Sequence, residues 1–184
     1  MLTLRPDFAT LCRPMAARLA CGELTLPAFR EALCTLLRDS FGVSRASLWG
    51  FAGDGDTRSL HCVGLASAGA AFHAGGAVLH ASEFGLYFGQ LLSRGVYVAH
   101  DVTQEPALAG LATYFARTGV RSLLDTSFQI NGRPFGVVCL EETGRVRNWT
   151  APEAAALRQA ASTISLSVAR LGPTFDFGVA SEPA

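Results

Sequence analysis

Asp125 is a carboxylate inside an otherwise apolar run, and that placement is the clearest sign of chemistry in the chain. Residues 123–149 read LLDTSFQINGRPFGVVCLEETGRVRNW: two strands joined at Asn131-Gly132, a common filling of a type I′ turn because both central residues need positive φ. With Ile130 and Arg133 flanking the turn, simple alternation sets Phe128 opposite Phe135, Thr126 opposite Val137 and Leu124 opposite Cys139 on one surface. Ser127 opposite Gly136, Asp125 opposite Val138 and Leu123 opposite Leu140 then occupy the other. A buried carboxylate is costly unless a donor meets it. Asp125 therefore either binds a ligand donor, caps local backbone, or pairs with Arg121.

Further candidates flank this hairpin. Phe84, Tyr87, Phe88, Tyr114 and Phe115 fall on two short helices that would roof the sheet. Such a cluster forms either core or the apolar wall of a small-molecule site. Glu83 follows Ser82, a helix-cap type, where a carboxylate also suits the helix dipole. Cys139, between Val138 and Leu140, reads as a small hydrophobe rather than a nucleophile. His80 and His100 lie near element ends as solvated turn residues or pH-sensitive groups, and Arg145 and Arg147 as surface charges. No nucleophile, base and orienting group stand together, and the four histidines lack metal-ligand spacing.

The elements that must position these groups follow from periodicity. Residues 7–19 carry Phe8, Leu11, Met15 and Leu19 at helical spacing, with Pro14 as an interruption. A stronger helix spans 26–41, with Pro27 in its first turn and Gly42 beyond its end. Strands are expected at 46–52 and 59–66, a small-residue loop at 68–77, and a helix from Ser82 to about Gly95. A short strand at 96–99 precedes one or two short helices over 105–117. Thr150-Ala151-Pro152-Glu153 is a capping box opening a last helix to about Leu171. There Leu157, Ala161, Ile164, Val168 and Leu171 form a coiled-coil-like seam. The order implies an α/β (α+β) sandwich on a mostly antiparallel sheet of five or six strands. The long terminal helices are expected on one face, the crossover helices and pocket on the other. Residues 1–23 read as a helical extension, 24–171 as the domain and 172–184 as a flexible tail.

Composition narrows the partners. Hydrophobic residues make up 49% and charged ones 16%, which fits a globular chain. Fifteen arginines balance 15 acids without a basic cluster, so neither nucleic acid nor an anionic membrane is the expected partner. No apolar run approaches the roughly 18 residues of a span, and the amino terminus does not read as a secretory signal. Five scattered cysteines fit reduced thiols and a cytoplasmic location. Met1 reads as a true amino terminus.

The hairpin, FGVVCLEETG and the W-T-x-x-E helix start resemble the end of a GAF domain over about residues 24–171. Segments 81–85, 114–120 and 122–142 are most similar to GAF domains of bacterial sensor kinases and phytochromes. By that resemblance Glu83, Tyr114, Asp125, Ser127 and Glu141 are pocket residues, joined by Tyr87 from the aromatic roof. Glu141 alternates with Cys139, so a bulge between Val138 and Glu141 would be needed to turn it toward the pocket. Bilin-binding members have a histidine where this chain has Leu111, and His61-Cys62 reverses the Cys-His of one attachment class; a bilin is not expected. The Asn-Lys-Phe-Asp-Glu signature of cyclic-nucleotide members is absent, as are the clustered cysteines of methionine sulfoxide reductases.

The resemblance implies a non-enzymatic sensory homodimer binding an unidentified small molecule and signalling through terminal helices to a separate effector. The alternatives are a ligand-free dimerisation or docking module and, third, a thiol-based reductase acting through Cys139 or Cys62.

Overall fold

Asn131 and Gly132 take φ of 52° and 77°, so the type I′ residues form the tight turn their sequence dictates. A computed structural model describes residues 8–73, 75–172 and 175–179. In chain order its strands are β1 (Arg45–Ala52), β2 (Ser59–Ser67), β3 (Val78–His80), β4 (Val96–Ala99), β5 (Val120–Ile130) and β6 (Arg133–Thr143). The helices are α1 (Phe8–Ala20), α2 (Leu26–Phe41), α3 (Gly85–Arg94), α4 (Ala112–Thr118) and α5 (Ala151–Val168). The strands form one sheet in the order β3-β2-β1-β6-β5-β4, every neighbouring pair antiparallel. β3 was not expected from sequence: it lies at the sheet edge, with only three residues.

The β5–β6 register departs from simple alternation. Gln129 pairs with Pro134 but Phe128 with Gly136, leaving Phe135 as an extra residue on β6. Pro134 cannot donate to the ladder. A Cβ on Gly136 would stand 2.7 Å from both the Phe128 ring and the Trp49 carbonyl, so that close approach requires glycine. Beyond the bulge Asp125 faces Cys139 and Leu123 faces Glu141. The expected pairings of Asp125 with Val138 and Leu124 with Cys139 are thus shifted by one. Cys139 and Glu141 join the Asp125 surface, with the bulge at Phe135 rather than beyond Val138.

The opposite surface packs on α2 and α5, and α1 packs in turn on those two helices. Leu48, Leu124, Val138 and Leu140 meet Phe29, Leu33, Leu37 and Ile164, all 0% exposed. Gly42 ends α2 at φ 58°, as the sequence predicts, and Thr25 caps its start, which the sequence reading did not identify. The seam on α5 is spent here: Leu157, Ala161, Ile164 and Val168 are buried against the chain's own sheet. It is not left for a second helix. Pro14 lies within α1 without ending it.

Three other expectations are corrected. Arg147 is not a surface charge. It bonds Glu142 at 3.1 Å and Glu153 at 2.7 Å while lying over the Trp149 ring, which ties β6 to the α5 capping box. Ser82 does not cap α3, which starts later, at Gly85, with Phe84 in the cap position. Of the expected flexible tail, residues 175–179 pack on the core: Phe177 is 1% exposed and meets Phe128 and Phe135 edge-on. Residues 180–184 lie outside the described residues. Truncation of Phe177 to alanine is expected to cost about 3 kcal/mol in urea unfolding. A loss below about 0.5 kcal/mol, the scale of a surface change, would mean the segment is not docked.

Candidate ligand cavity

The bulge assembles a polar floor from three central strands. Asp125 on β5, Cys139 and Glu141 on β6, and Trp49 on β1 line one side of a cavity of about 240 Å3. Tyr87 of α3, Leu108 and Leu111 of the 3-10 segment Pro106–Leu111, and Tyr114 and Phe115 of α4 supply the wall and roof. Val78 and Leu79 of β3 close the rim. A wider groove of about 680 Å3 runs outside Leu108 and Phe115, past Thr103, Glu105 and Arg121. It contains none of the buried carboxylates.

Two carboxylates share the cavity but are met differently. Glu141 lies 2.9 Å from Arg45 and accepts from the Tyr114 hydroxyl at 3.1 Å, while Arg45 also donates to that hydroxyl at 2.9 Å. The Arg45 Nε stands at ion-pair distance without hydrogen-bond alignment. Burial raises the Glu141 pKa, against the opposing pull of Arg45 and Tyr114. Asp125, 3% exposed, has no cation. Its Oδ2 accepts from the Tyr87 hydroxyl at 2.7 Å, and its Oδ1 has no partner. Burial pushes its pKa up to about 7, with Cys139 and Tyr87 pulling the other way. The Cys139 thiol is near enough to exert that pull but makes no aligned hydrogen bond to Oδ1. Arg121, one expected partner of Asp125, instead bonds Asp101 at 3.1 Å.

Tyr87, Tyr114, Asp125 and Glu141 thus come together, and two other expected site residues do not. Glu83 is exposed in the turn before α3, because that helix begins at Gly85 and directs Tyr87 rather than Glu83 inward. Ser127 shares the floor's face but donates to the Leu91 carbonyl at 3.1 Å, pinning the end of α3. Arg45 was missed, because the strand was started at Ala46. Its signal was the alternation Arg45, Ser47, Trp49 at the head of β1, whose Cα partners on β6 are Glu141, Cys139 and Val137. His100 is structural: its Nδ1 accepts from the Trp149 backbone. Among the described residues, no cluster of His, Cys, Asp and Glu could hold a metal ion.

The sequence profile of the GAF domain matches residues 26–168. The chain belongs to the GAF domain family. This is a family of sensory and signalling domains, and the curled antiparallel sheet with helices on both faces is its fold. No curated protein is significantly similar in sequence. Among solved structures, the phycocyanobilin-bound GAF domain of a cyanobacterial phytochrome aligns at TM-score 0.70 and 16% identity, over 90% of this chain and 95% of that one. The blue-light absorbing form of the Thermosynechococcus elongatus PixJ GAF domain aligns at 0.67 and 19%, over 83% and 89%. The Stigmatella aurantiaca phytochrome photosensory core module aligns at 0.63 and 16%, over 89% of this chain and 36% of that one. At these identities the likeness concerns the fold.

Replacing Arg45 with methionine would strand Glu141 as a buried charge. The expected loss is about 3–5 kcal/mol at neutral pH. Since burial raises the Glu141 pKa, the loss should recede as pH falls toward the ordinary glutamate range and should be largely repaired by Glu141→Gln. Urea midpoints at acid and neutral pH measure this; a loss independent of pH and of Glu141→Gln would refute the pairing.

Proposed function

We propose that this GAF domain is a non-enzymatic sensory module that binds a compact small molecule between the sheet and α3/α4. The observation that carries the reading is Asp125: a buried carboxyl oxygen without a partner in an apolar cavity, the combination a ligand site needs. Side chains there leave room for an occupant, which favours a ligand-binding role over a collapsed docking module. At about 240 Å3 the cavity is smaller than the roughly 300–1,000 Å3 usual for drug-sized ligands. Leu111 also lines it, at the position where bilin-binding members have histidine. The ligand is therefore smaller than a bilin, unlike the phycocyanobilin held by the phytochrome neighbour.

Occupancy would act on α3 and α4, since Tyr87 and Tyr114 join those helices to the floor. It shifts the domain only by binding two states unequally. A homodimer and a separate effector complete the proposed signalling unit. With the α5 seam buried, the large exposed apolar side chains on the paired helices, among the described residues, are Leu11 on α1 and Leu166 on α5, 50% and 67% exposed. Five free cysteines support a reducing, cytoplasmic setting. Burial, with Asp125 and Glu141 nearby, raises the Cys139 pKa well above that of a reactive thiol, and burial pushes Cys62 up to about 11. This weighs against the thiol-reductase reading.

A fragment library read by thermal shift tests the site against Leu111→Trp, a variant that fills the cavity. Compounds should raise the Tm of the wild type and lose that effect in the variant. Shifts of equal size in both proteins, or in neither, would contradict the reading.

A further inference from the structure

We propose that the cavity takes a compact organic cation, an apolar body ending in a protonated amine or amidine, whose N–H donates to the unpartnered Oδ1 of Asp125. This rests on the small-molecule reading above and specifies the chemistry of the same site. Three charged side chains lie in or just behind the chamber's floor, and two of them already satisfy each other: Arg45, behind the lining, stands 2.9 Å from Glu141. The third, Asp125, has a phenol on Oδ2 and nothing on Oδ1. With Asp125 ionised the chamber holds one uncompensated negative charge, which the protein itself has no side chain to meet. Around that charge stand Trp49, Leu79, Leu108, Leu111, Phe115 and Leu123, a wall suited to a hydrocarbon or aromatic body and able to attract a cation by its ring faces. A buried anion is stable only when paired and hydrogen-bonded; the geometry lacks a single cationic donor, and the cavity is placed to receive one.

The charge balance makes binding proton-linked. The groups facing Asp125 are Tyr87 from α3, Tyr97 from β4, and Cys139 and Glu141 from β6, with Arg45 of β1 and Tyr114 of α4 engaged on Glu141. All the neutral members of this set have raised pKa values, so they remain uncharged at neutral pH. Asp125, raised by burial to about 7, changes charge in this range. A cation selects the carboxylate, so its affinity rises as pH climbs through that value. A neutral ligand that accepted a hydrogen bond from the protonated acid would show the opposite trend. An anion would meet Asp125 and Glu141 together.

Calorimetric titration of the full chain with benzylammonium, benzyl alcohol and benzoate, three probes of one shape and different charge, tests the inference. Benzylammonium should bind at least about tenfold tighter than benzyl alcohol at about pH 8, and about tenfold more weakly at about pH 6. Benzoate should not bind. Asp125→Asn should abolish the preference for the cation and its pH dependence. Tyr87→Phe, which leaves the carboxylate in place, should retain both, and serves if Asp125→Asn does not fold. If benzyl alcohol or benzoate binds as tightly as the cation, or affinity falls as pH rises, the cation inference is overturned while the small-molecule reading stands. If none of the three binds at millimolar concentration, the inference fails; the reading itself then fails only if the fragment library also gives no shift specific to the open cavity.

Discussion

One extra residue in β6 decides what the central hairpin presents to each face. Because side chains alternate with period two, the bulge at Phe135 exchanges the surfaces of every β6 residue beyond it relative to an unbulged ladder. Cys139 and Glu141 move to the Asp125 side, while Val138 and Leu140 turn to the helices, where both are fully buried. Without that step a glutamate would enter the α2/α5 core and two aliphatic side chains would take its place on the cavity floor. The bulge is held by Gly136, which admits the Phe128 ring and the Trp49 carbonyl, and by the aromatic packing of Phe128, Phe135, Phe175 and Phe177. The core of one face and the chemistry of the other therefore depend on the same local geometry.

The consequence for energetics is a fold that leaves a buried carboxyl oxygen, Asp125 Oδ1, without a partner. An aspartate whose pKa is raised to about 7 by burial disfavours the ionised folded state at neutral pH by on the order of 4 kcal/mol. The sign follows from linkage: the penalty is absent below the ordinary aspartate pKa, grows as pH rises, and is fully present above about 7. A helix cap such as Thr150 contributes about 1 kcal/mol by comparison. The Glu141 carboxylate shows that the fold can satisfy a buried acid here, with Arg45 and Tyr114. That it does so for one acid and not its neighbour distinguishes a paired structural carboxylate from one the fold leaves unpaired.

Much of this was legible in the sequence, for identifiable reasons. The Asn131-Gly132 turn, the Thr150 cap and the glycine end of α2 are local signals, and local geometry sufficed to read them. The family resemblance supplied Tyr114, Asp125 and Glu141, and the aromatic spacing supplied Tyr87. What failed was non-local. The bulge was sought between Val138 and Glu141, but its position at Phe135 depends on how close Trp49 and Phe128 pack to Gly136. Arg45 was missed because a charged residue at a strand head reads as solvent-facing until its partner strand brings Glu141 beside it. The α5 seam has the same period whether it meets another helix or its own sheet, and here the sheet covers it. Glu83 and Ser127 were assigned by segment match, and the start of α3 and the Leu91 carbonyl placed them elsewhere.

Asp125 is a buried carboxyl whose charge the fold itself does not meet. Carbon-13 NMR titration of the aspartate side chains, with Asp125→Asn to assign the signal, measures this most directly. A carboxyl titrating near pH 7 in the free protein and missing from the variant is the predicted result. Every aspartate titrating in the ordinary range near 4 would contradict the account.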